Sequence, residues 1–294
     1  MKYLGEFLIN QPCIWLDAAR RSRKESVQQL ETIAEDISDQ YRLYDNLIAS
    51  CNDGLPNSTF LQHSNLLIDY YEKAPKELNK LLLERRNEHE LSFCPYCGNP
   101  MIPDTLDHFI PKGKWPEFSI FPNNLVPQCR GCAPVKGENY YCTENNLAMF
   151  IHPIYFNFLD NFRFSINVLL NAESKDISIT VKLKKVKETP SDDQSRVILH
   201  AEKLKIKSRI INYCKKDFRQ WTKRLSNAKF DVKVALQQRL SEVPELDIGK
   251  DWQSAFYDAL LKNEEIINYM NSLHPQVEEH LHQQPNCAVD LDFN

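Results

Sequence analysis

Glycine is scarce in this chain, at 7 of 294 residues. No G-x-G-x-x-G or Walker-type run occurs, which sets aside nucleotide-binding folds built on glycine-rich phosphate loops. No stretch of about 18 apolar residues exists, so no membrane-spanning helix is expected. The opening Met1-Lys2-Tyr3-Leu4-Gly5-Glu6 meets a carboxylate before an apolar segment can form, and it does not read as a secretory signal. Charge of one sign is also missing: 36 Lys and Arg against 40 Asp and Glu leave a net −4. That balance alone does not mark a nucleic-acid binder. What is present is ordinary for a foldable chain, with 42% hydrophobic and 26% charged residues. The length suits two compact domains, or one with large extensions.

The distribution of charge is less even than its sum. Residues 181–224 carry 14 Lys/Arg and 5 Asp/Glu, whereas residues 241–294 carry 2 and 11. The basic block could follow a phosphate backbone. Alternatively, the two blocks pair with each other or are solvated faces.

Nine cysteines without an export signal point to a reducing compartment, and a cytoplasmic location is expected. There, cysteines serve as metal ligands or buried thiols more often than as disulfides. Cys94 and Cys97 form one C-x-x-C pair, and Cys129 and Cys132 form another. Cys13, Cys51, Cys142, Cys214 and Cys287 are scattered and read as buried or incidental thiols.

Periodicity divides the chain into a helical region over 1–90, a proline-rich stretch over 91–160, and a hairpin with helices over 161–294. In residues 24–50, Val27, Leu30, Ala34, Ile37, Tyr41, Tyr44 and Ile48 fall on one helical face. That stripe could pack on the rest of the protein or on a partner helix. Further helices are expected over 58–73 and 76–90, flanking Pro75. Prolines recur from Pro95 to Pro153, so loops, short strands and one or two short helices are expected there. Residues 163–187 alternate as a β-hairpin turning at 171–176. One long helix should follow, buried through Val197, Ala201, Leu204, Ile211, Cys214, Phe218, Trp221 and Leu225 and continuing to about Leu240. Its other faces carry Lys203, Lys207, Arg209, Lys215, Lys216 and Arg219. A last helix covers 250–273, and the tail after Pro275 reads as irregular. The expected class is α+β.

Two residues between cysteines let both thiolates of one turn reach the same ion. Two such turns make a tetrahedral site of four thiolates, whose usual occupant is Zn2+. Pro95 and Gly98 suit the tight turn. The 31 residues between Cys97 and Cys129 exceed ordinary zinc-ribbon spacing of about 15–20, so a folded insertion lies between the knuckles. That insertion holds Asp107-His108, then Pro111-Lys112, and Asn124 sixteen residues after His108. A carboxylate beside an imidazole suits metal-assisted phosphodiester hydrolysis. The acid can hold a hard cation such as Mg2+ or Mn2+, and the imidazole can take a proton from water. An Asp-His pair taken alone is more often a surface accident.

The ordered set C-x-x-C, D-H-x-x-P-K, N-x-L-x-x-x-C-x-x-C-x-x-x-K-G over about residues 92–140, roughly a sixth of the chain, resembles the HNH endonuclease family. The resemblance implies a ββα-metal core with a structural zinc. It implies His108 as general base, Asp107 as ligand of the catalytic divalent cation, and Asn124 as a brace for the loop and for His108. Lys136, Lys112 and Lys114 would contact phosphate. One position departs from the pattern. The residue after the second knuckle is normally Asn or His and completes the metal site, but here it is Ala133. Ala133 is then an engineered inactivating substitution, or the natural protein uses another ligand such as His152, or the site is degenerate. As a single residue, His152 reads better as a structural histidine. Pro134 still permits a helix to begin there.

The wider arrangement is similar to the HNH proteins encoded with retrons and Septu-type defence systems, the PtuB-like family. That resemblance implies an anti-phage nuclease acting on DNA, tRNA or other RNA. It also implies an ABC/SMC-like ATPase partner, with a retron reverse transcriptase and its RNA–DNA in some systems. The rival expectation is a catalytically inactive, zinc-stabilised subunit that binds nucleic acid or protein.

Overall fold

In the computed structural model, residues 1–274 other than Pro12, Cys51, Ala172 and Ala228 are described. Cys51, Cys287 and the tail after Pro275 therefore lie outside the described residues. The fold mixes helices with small antiparallel sheets. The N-terminal helices are α1 (Ile14–Arg20), α2 (Val27–Glu31), α3 (Ala34–Ala49), α4 (Ser64–Glu72) and α5 (Lys76–Asn87). The proline-rich stretch forms β1 (Thr105–His108), β2 (Leu125–Gln128), the single-turn helix α6 (Ala133–Lys136), β3 (Tyr141–Cys142) and β4 (Leu147–Ala148). Then come β5 (Phe162–Asn171), β6 (Asp176–Lys185), α7 (Ser191–Lys203), α8 (Ile206–Leu225), α9 (Val232–Ser241), α10 (Trp252–Leu261) and α11 (Glu264–Ser272). One hydrophobic core runs through all three stretches. No helix among the described residues is long and apolar enough to cross a membrane.

The single helix expected over 24–50 is two, broken at Ile33, whose ψ of 2° leaves the helical range. The apolar stripe nevertheless packs on the protein itself. Leu30, Ala34, Ile37, Tyr41, Tyr44 and Ile48 are buried. Tyr41 and Tyr44 meet Phe121 at ring distances of 4.3 and 4.7 Å. The hairpin turns between Asn171 and Asp176 as expected. Its register pairs Phe164 with Leu183, Ile166 with Val181 and Val168 with Ile179. The apolar residues of β5 and those of β6 thus share one face, because directly opposed residues point the same way.

The long C-terminal helix is also broken, into α7, α8 and α9. Lys205 takes a left-handed φ of 53° between the first two, and neither glycine nor proline signals that bend. The break re-phases the helix, so that Ile206 and Ile210 are buried whereas Ile211 is only partly so. The last helix divides as well. The Asn263 side chain accepts from the Ile266 amide to cap α11 and donates to the Val168 carbonyl, 2.9 Å. Among the described residues, no ion pair joins the basic block to the acidic block. Lys185 pairs with Glu188 and Arg219 with Asp176, while Lys182, Lys184, Lys207, Lys216 and Lys223 form no ion pair among the described residues.

His200 on α7 shows how the C-terminal helices are tied to the middle of the chain. Its Nδ1 accepts from the Ile151 amide at 3.0 Å, and its Nε2 donates to the Tyr96 carbonyl at 2.7 Å. Burial lowers its pKa to about 4. A histidine held neutral in the fold but free to protonate when unfolded favours unfolding below its ordinary pKa. Stability should be flat above pH 6.5 and fall as pH drops toward 4, by up to about 3 kcal/mol for this residue. Urea unfolding at pH 7 and pH 5 measures it. His200→Gln should lose less stability between those pH values than the wild type, and an equal loss would contradict the assignment.

Candidate metal centre and adjoining hairpin

The first knuckle closes through backbone bonds from the Gly98 amide to the Cys94 carbonyl, 2.8 Å, and from the Cys94 amide to the Asn99 carbonyl, 2.9 Å. Gly98 has φ +73°, and a Cβ there would lie 2.6 Å from the Lys250 carbonyl oxygen and from the Phe164 ring. Both the conformation and the space require glycine. The second knuckle closes from the Cys132 amide to the Cys129 carbonyl, 2.9 Å.

The sulfurs of Cys94, Cys97, Cys129 and Cys132 all lie within 4.8 Å of one another, and all four residues are buried. Cys97 Sγ and Cys129 Sγ are 3.8 Å apart. A tetrahedron with Zn–S of about 2.3 Å requires sulfurs about 3.8 Å apart, so the spacing fits. Burial and the neighbouring sulfurs of Cys129 and Cys132 push the Cys97 thiol well up, so four thiolates need a cation among them. The cluster could hold a metal such as zinc. Among the described residues no other group of three His, Cys, Asp or Glu is gathered in this way.

Sequence reasoning missed the shell around these sulfurs. Arg209, expected on an outer face, turns inward. Its Nη1 donates to Cys132 Sγ at 3.3 Å, and its Nη2 lies 3.6 and 3.7 Å from Cys97 Sγ and Cys129 Sγ. Burial opposes its charge, but Cys97 and Cys132 more than offset this and push its pKa up. Gly131 makes the approach possible, since a Cβ there would come within 2.7 Å of Arg209 Nη2. Trp252 backs the guanidinium, 5.2 Å from its ring centre. The Asn99 amide and side chain add donors to Cys97 and Cys129.

Beside the cluster, β1 and β2 pair with His108 opposite Leu125 and Asp107 opposite Val126. His108 Nε2 donates to the Ser119 carbonyl, 2.9 Å, which leaves Nδ1 without a proton. Burial lowers its pKa to about 3, although the residue keeps partial solvent exposure. Tyr71 of α4 packs edge-on at 4.4 Å. Asn124 is fully buried. Its Nδ2 donates to the Ile110 and Phe118 carbonyls, and its Oδ1 accepts from the Ile110 amide and from Tyr44. It holds the loop that carries Ser119, and through it His108.

Asp107 is already engaged. Its Oδ2 accepts from the Tyr96 hydroxyl, 2.7 Å, and its Oδ1 pairs with Lys136 Nζ, 3.1 Å. Lys136 is not placed to meet a phosphate, as expected of it, because its side chain is fully buried and also donates to the carbonyls of His108 and Phe109. A buried ammonium needs such partners, and here they join α6 to β1. Lys112 pairs with Glu72 at 2.6 Å, and Lys114 is exposed. Ala133 opens α6 on the surface, with Pro134 in its first turn. His152 is a satisfied core histidine. Its Nδ1 accepts from the Ile154 amide, its Nε2 lies 3.3 Å from the Tyr44 hydroxyl, and it packs 4.2 Å from Phe109. One carboxylate already neutralised by Lys136, with no donor at Ala133, does not make a complete site for Mg2+ or Mn2+.

Comparison with known proteins adds one partial likeness. A stretch of 61 residues is 44% identical to part of protein ea31 of Escherichia phage lambda, and it covers 20% of this chain and 20% of that protein. No family model matches, and no solved structure matches at a significant level.

Two outcomes follow. Arg209→Gln should fold but release metal to a chelator at least about tenfold faster, since groups outside the ligand shell commonly tune affinity by 10–100-fold. Unchanged release would remove Arg209 from the centre. Tyr44→Phe leaves Asn124 and His152 short of one buried partner each and should cost about 1–3 kcal/mol in urea unfolding. A cost under about 0.5 kcal/mol would mean that the hydroxyl is not a brace.

Proposed function

We propose that this chain is an HNH-type nuclease that hydrolyses phosphodiester bonds, with a zinc-stapled ββα core formed by β1, β2 and α6. The observation that carries the reading is the state of His108. The imidazole projects from a strand, its Nε2 proton is committed to the Ser119 carbonyl, and Asn124 braces the loop that carries that carbonyl. An imidazole held in this tautomer presents an unprotonated Nδ1 that can accept a proton, which is the geometric part of a general base's task. Nδ1 takes the proton of an attacking water, whose oxygen bonds to phosphorus as the P–O bond to the leaving oxygen breaks, and that oxygen takes a proton from solvent water. Asp107 and Lys136 fix the strand behind it. A divalent cation would need Asp107 released from Lys136 and a donor where Ala133 stands.

Ala133 and the closed Asp107–Lys136 pair favour a second reading, a zinc-stabilised subunit that binds without cutting. The looser family resemblance extends either reading to anti-phage defence alongside an ABC/SMC-like ATPase. Cleavage assays of plasmid DNA and tRNA with Mn2+ or Mg2+ separate the two. Ala133→Asn should raise cutting by at least about 100-fold, and His108→Ala on that background should abolish it, within the range of a lost general base. If neither protein cuts, yet both bind with steep salt dependence, the binding reading replaces the nuclease.

A further inference from the structure

A cavity of about 470 Å³ lies where three segments meet: the loop after α3, the loop after β1 and the turn between α6 and β3. Its volume falls within the range of about 300–1,000 Å³ usual for small-ligand sites. Trp115, Tyr140 and Tyr141 line it, together with Lys114 and Glu138. Two of the aromatic residues have their polar atoms committed. Trp115 Nε1 donates to the Pro56 carbonyl and the Tyr141 hydroxyl donates to the Asn52 carbonyl, each at 2.8 Å. Both are thereby tied to the loop after α3, and ring surface is what they offer to the cavity. Lys114 and Glu138 are exposed, and neither forms an ion pair among the described residues. Gly113 leaves room for the carboxylate: a Cβ there would lie 2.5 Å from Glu138 Oε1. Glu138 therefore rests on the loop that carries Lys114 and Trp115.

The cavity adjoins the hairpin. Trp115 meets Tyr140 at a ring distance of 6.3 Å, and Tyr140 meets Phe109, the residue after His108, at 5.8 Å. A strand laid past His108 brings a neighbouring base within reach of it. Aromatic surface takes the face of any base, and edge groups choose among bases. A carboxylate offers acceptors only. Guanine presents two adjacent donors on its Watson–Crick edge, N1–H and N2–H, which the two oxygens take as a pair. Adenine and cytosine set a ring acceptor beside their amine, and uracil and thymine flank one donor with carbonyls. In a duplex this edge is occupied and the faces are stacked. We propose that the cavity takes one unpaired guanine of a single-stranded nucleic acid, its face against Trp115 and Tyr141, its Watson–Crick edge on Glu138 and an adjoining phosphate on Lys114. The inference rests on the reading that the chain acts on or binds nucleic acid, and it does not depend on cutting.

Fluorescence anisotropy of the full-length protein with labelled single-stranded hexamers, ribo- and deoxyribo-, tests it at one salt concentration and without added divalent cation. A hexamer of pyrimidines with one central guanine should bind about tenfold more tightly than one with adenine or hypoxanthine there. Glu138→Gln, a change at an exposed position, should bring guanine down to the adenine level. Tyr141→Leu should weaken both about tenfold. A guanine preference in either sugar series supports the proposal and names the source of the base. Equal binding of all bases overturns it, as does a preference that survives Glu138→Gln, or equal affinity for the same sequence in a duplex. A preference lost in Glu138→Gln, in a protein whose Ala133→Asn form never cuts, keeps this site and removes the nuclease. Cutting with no base preference removes this site alone.

Discussion

Four buried thiolates cannot share a volume a few ångströms across unless positive charge sits among them, and the groups around the knuckles are arranged to supply it. A Zn2+ ion with four thiolates carries a net −2. Arg209 supplies a further positive charge from α8, and Trp252 of α10 packs on Arg209 while its backbone amide bonds to the Gly98 carbonyl. Elements more than a hundred residues apart in sequence therefore meet at one centre. A metal held there would have a structural task, because the knuckles close the two ends of the segment that carries the hairpin.

The hairpin is held from a second side by the N-terminal helices. Tyr44 of α3 donates to Asn124 and meets His152, so one hydroxyl joins a helix, a loop brace and the Ile151-His152-Pro153 turn. Asp107, Tyr96 and Lys136 form a parallel tie between the first knuckle, β1 and α6. Both ties are buried and hydrogen-bonded, the condition under which polar groups fix a geometry. His108 is thus oriented by neighbours that are themselves immobilised.

Much of this was legible in the sequence, and the unread part has physical causes. The C-x-x-C pairs located the sulfur cluster because ligand spacing is local. The strand-period pattern located β5 and β6 because burial there alternates residue by residue. The helix breaks at Ile33, Lys205 and Asn263 were not legible. Tertiary packing decides them, and none has a proline or glycine. Arg209 looked like one more cation on a basic helix, and only the turn at Lys205 aims it at the sulfurs. The family resemblance implies a phosphate contact for Lys136, but a lysine is found buried when a carboxylate and carbonyls are gathered around it, and that gathering is a property of the fold.

The central claim is that the four cysteines hold one metal ion in a tetrahedral thiolate shell. X-ray absorption at the zinc edge of the purified full-length protein measures this directly. The account predicts one zinc per chain with four sulfur neighbours at about 2.3 Å. A metal bound through nitrogen or oxygen, or a chain that retains no metal, would contradict it.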